Sequence, residues 1–171
     1  MVNPAPEGLA EEVSENPSVK AFYLYNLLLF VDWPEDALKT GDPFCVAILG
    51  DDALYSHLKR LDQKTAKRQK LEIRRIQEGE RWPDVCKVLF IGSSKRAFAT
   101  ELLAKLRNKP VLTVSTLEGF PSMGGMIRLK NLRGPVTRTS KRFTVNLGAV
   151  EKSGLKLRAR LLRLSDIFDQ P

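Results

Sequence analysis

The 171-residue chain has little of what catalytic and metal chemistry usually draws on. It holds one histidine, His57, and two cysteines, Cys45 and Cys86. With no C-x-x-C pair and a single histidine, the usual zinc ligand sets are excluded and no metal is expected. Ser-His-Asp chemistry would have to run through His57, which falls on a predicted surface helix beside Lys59 and Arg60. No G-x-S-x-G elbow is present to offer a nucleophile. Walker and G-x-G-x-x-G loops are missing too, and Gly50 and Gly92, which end two predicted strands, stand alone. No catalytic residue and no cofactor are therefore expected. A small Rossmann-like enzyme is the competing reading, and it would depend on His57 or Asp52.

Long apolar runs are also missing. Ala21–Val31 is very apolar but spans only 11 residues, well short of the ~20 that cross a bilayer. Met1–Pro17 lacks the basic start and apolar run of a signal peptide, which fits either a cytosolic protein or a processed form with a new Met1. It carries Pro4, Pro6 and Pro17 with Glu7, Glu11, Glu12 and Glu15, so it reads as a disordered tail that cannot bury enough to order itself. Residues 18–168 are expected to form one domain, as the length suggests.

Positive charge is abundant: 28 Lys and Arg against 20 Asp and Glu, a formal net charge of +8. A basic surface invites an acidic partner, and a nucleic-acid-binding domain is the second competing reading. The basic clusters argue against it. Lys59, Arg60, Lys64, Lys67, Arg68 and Lys70 form one; Lys130, Arg133, Arg138, Lys141 and Arg142 another; Lys156, Arg158, Arg160 and Arg163 a third. They hold almost none of the aromatic residues on which single-stranded readers stack bases. No nucleic-acid partner is expected.

Periodicity supplies the fold. Ser18–Asp32 has a helical spacing, with Val19, Phe22, Tyr23, Asn26, Leu27, Phe30 and Val31 on one stripe. Leu24, Leu28 and Leu29 widen the apolar surface, which implies burial or a partner on the far side, and Trp33-Pro34 is expected to end the helix. Phe44–Leu49 is a continuous apolar run, and Cys86–Ile91 a second mostly apolar one; both are closed by glycine, as buried parallel strands are. Asp51 or Asp52 is placed to cap a helix over 53–61. This reading is preferred over an acidic pair of the phospho-acceptor kind, because the matching strand ends Ile91-Gly92-Ser93-Ser94 without an Asp. A more polar strand holds Leu71, Ile73 and Ile76. A helix capped by Ser93 or Ser94 runs to about Arg107, with Ala97, Leu102, Leu103 and Leu106 inward, before a strand over Pro110–Val114. Gly124-Gly125 marks a turn or a close backbone approach. Met126–Leu129 and Arg142–Leu147 read as an edge hairpin, and Leu155–Leu164 as a final helix or extended arm. Strands alternating with helices predict an α/β fold with a mostly parallel sheet, flanking helices and a C-terminal edge hairpin.

The two cysteines begin two similar strands. If these are parallel neighbours, the ~4.8 Å strand spacing permits a disulfide; two buried free thiols fit the residues as well.

The ordered set resembles the YfiR-like family. Tyr25–Pro34 looks like its opening helix, Phe44–Gly50 and Cys86–Gly92 like two of its strands, and Pro110–Ser115 like a third. Gly124–Ile127, Arg142–Leu147, Ser153–Leu157 and Leu161–Leu164 follow in the family's order, so the resemblance covers about 19–168. It implies a Rossmann-like or flavodoxin-like sheet, a periplasmic location with the signal peptide already removed, and a homodimer. It also implies a Cys45–Cys86 disulfide, and no second bridge near Phe120–Met123, where cysteine is missing. The implied role is regulatory: repression of a membrane diguanylate cyclase, or control of a sensor kinase, through its periplasmic part. An outer-membrane peptidoglycan-binding lipoprotein is the implied sequestering partner. For such contacts the opening helix and the C-terminal leucine-rich segment are expected to serve, with Leu24, Leu28, Leu157, Arg160 and Leu161 at the surface. Lys156 and Arg158 are expected to hold a small anionic or amino-acid-like ligand.

Overall fold

A computed structural model of the chain describes residues 16–132, 135 and 137–169. The expected tail therefore lies outside the described residues up to position 15. Asn16 already belongs to the fold, because it caps the first helix, α1 (Pro17–Leu29). Its Oδ1 accepts from the backbone N–H of Ser18 at 3.1 Å and of Val19 at 3.3 Å. Pro17 opens the helix, where a missing N–H costs nothing.

Helix α1 stops at Leu29, and Val31–Asp32 form a short strand, β1. The helix was expected to reach Asp32. Its inward stripe is also rotated from the expected one: it buries Lys20, Ala21, Leu24, Leu27 and Leu28. Phe22 is 62% exposed, and the Asn26 amide turns back to donate to the Phe22 carbonyl at 2.7 Å. Both stripes satisfy the helical period. The aliphatic one goes in because burying Asn26 would leave an amide to satisfy, whereas each buried leucine contributes about 2 kcal/mol.

The remaining elements are β2 (Phe44–Leu49), α2 (Asp52–Lys59), β3 (Thr65–Ala66), β4 (Gln69–Ile76), β5 (Cys86–Ile91), α3 (Arg96–Leu106), β6 (Leu112–Ser115), β7 (Ile127–Leu129), β8 (Phe143–Asn146), α4 (Leu147–Lys152), β9 (Lys156–Leu157), α5 (Ala159–Arg163) and β10 (Ser165–Phe168). Eight strands form one sheet in the order β10-β8-β7-β6-β5-β2-β4-β3. From β4 to β7 every neighbouring pair is parallel. The expected hairpin forms as antiparallel β7 and β8, and β10 extends that edge by pairing parallel to β8. Strands β1 and β9 make a separate antiparallel pair.

The sheet separates two cores. Phe44, Val46 and Ile48 of β2 face the larger one, beneath α1 and α2, while Cys45, Ala47 and Leu49 face the smaller one, beneath α3. This two-sided burial is why β2 reads as an unbroken apolar run. Asp51 caps α2 as expected, its Oδ1 accepting from Leu54 N at 2.9 Å. On α3 the inward residues are Ala99, Leu103 and Leu106. Ala97 points outward, because Ser93–Lys95 wind as a tight 3₁₀ turn that shifts the start of the helix, and neither serine caps it. Both readings of the Gly-Gly pair hold: Gly124 turns at φ +100°, and a Cβ on Gly125 would overlap the Phe120 ring. The last segment is neither one helix nor an arm. Gly154, at φ +79°, breaks it from α4, and β9, α5 and β10 follow in quick succession.

Candidate functional site

In the strand order β4-β2-β5-β6-β7 the chain direction across the sheet reverses between β2 and β5. This is the 2-1-3-4-5 order of flavodoxin-like folds, whose ligands bind in the crevice beyond the strand ends at the reversal. Here that crevice is filled. Gly92 N donates to Leu49 O at 2.7 Å, and Ser94 Oγ to Gly50 O at 3.1 Å. A Cβ on Gly92 would overlap the Gly50 carbonyl, and one on Gly50 the Lys95 side chain. Lys20, only 2% exposed, reaches from α1 to form an ion pair with Asp51 and lies 5.8 Å from the centroid of the Phe90 ring. His57 is not part of this region; its Nδ1 sits 3.0 Å from the Ala53 carbonyl of its own helix.

The notable surface lies where α1 ends. The β1–β9 pairing sets Val31 opposite Leu157 and Asp32 opposite Lys156. Arg158 N donates to Phe30 O at 2.9 Å, so the C-terminal segment is fastened to the end of the opening helix. The Arg158 guanidinium forks onto Asp32, with Nε to Oδ2 at 3.2 Å and Nη2 to Oδ1 at 3.0 Å. Lys67 stands 3.6 Å from the same carboxylate and 5.8 Å from the Trp33 ring centroid. Arg160 lies 5.7 Å from the centroid of Phe30. Along the outer face of α1, Phe22, Asn26 and Leu29 occupy successive turns, with Phe22 62% and Leu29 42% exposed. An aromatic and aliphatic stripe thus runs into a cationic corner.

The hydrogen bond from Arg158 holds the Asp32 carboxyl below its ordinary value; burial opposes this, and the charges of Arg158 and Lys67 reinforce it. Burial pulls the Lys67 ammonium down, against the attraction of Asp32. A carboxyl lowered on folding stabilises the native state above its unfolded value and loses that contribution as pH falls through the folded one. Denaturant titrations at a series of pH values below about 4 are therefore expected to show a steeper acid loss of stability in wild type than in Asp32→Asn. Identical profiles would show that the Asp32 corner contributes nothing to acid stability.

The structure brings together the two segments expected to carry contacts, but it reassigns their residues. Leu24 and Leu28 are buried at 1% and 2%, and Leu161 at 2%. They are core residues and offer no surface; the opening helix shows Phe22 and Leu29 instead. Leu157 is half-buried and Arg160 exposed. Lys156 is exposed, and the Arg158 guanidinium is held by Asp32. The second basic cluster is largely spent internally: Lys130 pairs with Asp166, Lys141 Nζ donates to Arg163 O at 3.1 Å, and buried Arg142 donates to the Asn131 and Pro135 carbonyls. Arg133 lies outside the described residues. Sequence reasoning missed Phe22 as a surface residue, although Asn26 on the same stripe was a signal that this face stays near water.

The chain is thus a flavodoxin-like sheet with its ligand crevice filled and an apolar, cation-bordered stripe outside it. Residues 17–166 match the model of the YfiR/HmsC-like family, and the chain belongs to that family. This is a regulatory family linked to membrane diguanylate cyclase signalling, and membership suggests a periplasmic regulator of cyclic-di-GMP signalling. No curated protein matches the chain. Among the described residues, no helix is long and apolar enough to cross a membrane.

Proposed function

We propose that this protein is a periplasmic binding module that represses a membrane-bound diguanylate cyclase by docking on its periplasmic part. The observation that carries the reading is the exposed Phe22–Leu29 stripe set against Arg160. Aromatic residues and arginine dominate contact energetics, and an apolar patch with a charged rim is the usual anatomy of a protein interface. A repressor needs no chemistry of its own; it needs higher affinity for the inactive state of its target than for the active one. The proposal includes a homodimeric form and relief of repression by an outer-membrane peptidoglycan-binding lipoprotein. A sensor kinase is the alternative membrane partner.

The test is to titrate the purified periplasmic part of a membrane diguanylate cyclase from the same genome with wild type and with Phe22→Asp/Leu29→Asp. Both substitutions fall on exposed positions, so the melt should change little. Loss of two apolar anchors is expected to weaken binding at least 100-fold, about 2.7 kcal/mol. Binding unchanged in the double variant would overturn this docking face. Failure of wild type to bind any such domain would overturn the partner class.

A further inference from the structure

A second concave region lies beside α3, on the face of the sheet opposite α1. A cleft of about 420 Å³ opens between the C-terminal end of α3, the connection before β7, α4 and the end of β10. That volume is within the range of small-molecule pockets.

Its lining includes two buried polar side chains. Thr113 is 2% exposed and its Oγ1 accepts from Met126 N at 3.0 Å, which leaves the hydroxyl hydrogen free to donate. Asn146 is 8% exposed; its Oδ1 accepts from Ala149 N and its Nδ2 donates to Pro121 O, both at 3.1 Å. One amide hydrogen of Asn146 is left over. Both side chains are partnered, and each keeps one further donor hydrogen with which it can reach an acceptor placed in the cleft. Arg107 and Lys152 bring positive charge to the same cleft, against the single carboxylate of Asp169, and Leu106 and Met126 supply apolar wall.

We propose that this cleft binds a small organic anion: a carboxylate or phosphate ester on an apolar body of roughly a dozen non-hydrogen atoms. The anionic head accepts from Thr113 and Asn146 with Arg107 and Lys152 beside it, and the body lies against Leu106 and Met126. The site is separate from the α1 stripe, and its occupancy can be read on this chain alone, so its fate is independent of the docking reading.

The experiment is calorimetric titration of the full chain with phenylacetate, phenyl phosphate and 2-phenylethylamine, which share a body and differ in head-group charge. Both anions are expected to bind one to one, and the amine at least tenfold more weakly. Arg107→Gln/Lys152→Gln is expected to weaken the anions at least tenfold. Ala104→Trp, which fills the cleft from an exposed position on α3, should abolish binding with the melt unchanged. Equal binding of amine and anion would overturn the proposal, as would anion binding that survives Ala104→Trp. So would the lack of any anion binding by wild type up to the millimolar range. If only one of the two anions binds, with the expected response to both variants, the proposal stands and the head group is identified.

Discussion

Unfolded without reductant, the protein is expected to show no free thiol, and the pair Cys45→Ala/Cys86→Ala is expected to lower the melting point by roughly 10 °C. The bridge links neighbouring parallel strands: Cys45 and Cys86 are register partners with Cα atoms 4.3 Å apart. It closes a separation of 41 residues, for which loop-closure entropy gives about 4 kcal/mol. That loop contains α2, β3 and β4, so opening it frees this whole segment in the unfolded chain. Both cysteines are 0% exposed in the smaller core, so a reductant should act on the native protein only through unfolding. Melting reduced wild type beside the double variant separates the lost bridge from the lost sulfur volume. Two titratable thiols in protein taken from its native host would remove the bridge, and with it the argument for an oxidising compartment.

The strands were legible because burial on both faces leaves one kind of trace. Phe44–Leu49 and Cys86–Ile91 are apolar at nearly every position, and glycine ends each at the point where their backbones meet. The cap at Asp51 was legible for a local reason, since one carboxylate on one turn suffices. The facing of α1 was not. Apolar residues cover most of that helix, so period alone allows two stripes; Asn26 was the local signal against one of them, and packing on the sheet selects Leu24 and Leu28 over Phe22 and Asn26. The same ambiguity misplaced the contact residues Leu24, Leu28 and Leu161. Short elements were the other loss. Strands β1 and β9 have two residues each and exist because they pair with one another across the length of the chain; no window of sequence contains both. Arg158 looked available for a ligand for this reason, since its partner Asp32 lies 126 residues away.

The Lys20–Asp51 ion pair helps to close the sheet's usual ligand crevice, and this gives the second large expected effect. Asp51→Ala is expected to destabilise the protein by about 2–4 kcal/mol, measured by urea unfolding at constant slope. Two losses combine in it. Lys20, 2% exposed, loses its ion pair with Asp51, and α2 loses the cap that Leu54 N donates to, itself worth about 1 kcal/mol. Lys20→Met should cost less, because Asp51 keeps its cap contact and a methionine fills the lysine's apolar path along the core. The double variant Lys20→Met/Asp51→Ala should be more stable than Asp51→Ala alone, since the lysine's charge is then no longer buried where the Asp51 carboxylate is missing. If all three variants unfold within about 0.5 kcal/mol of wild type, water reaches the pair. The reversal point of the sheet would then be open, and the small-molecule role that its closure argues against would return. If the ordering holds, the C-terminal ends of β2 and β5 are a structural plug, and recognition falls to surfaces away from them.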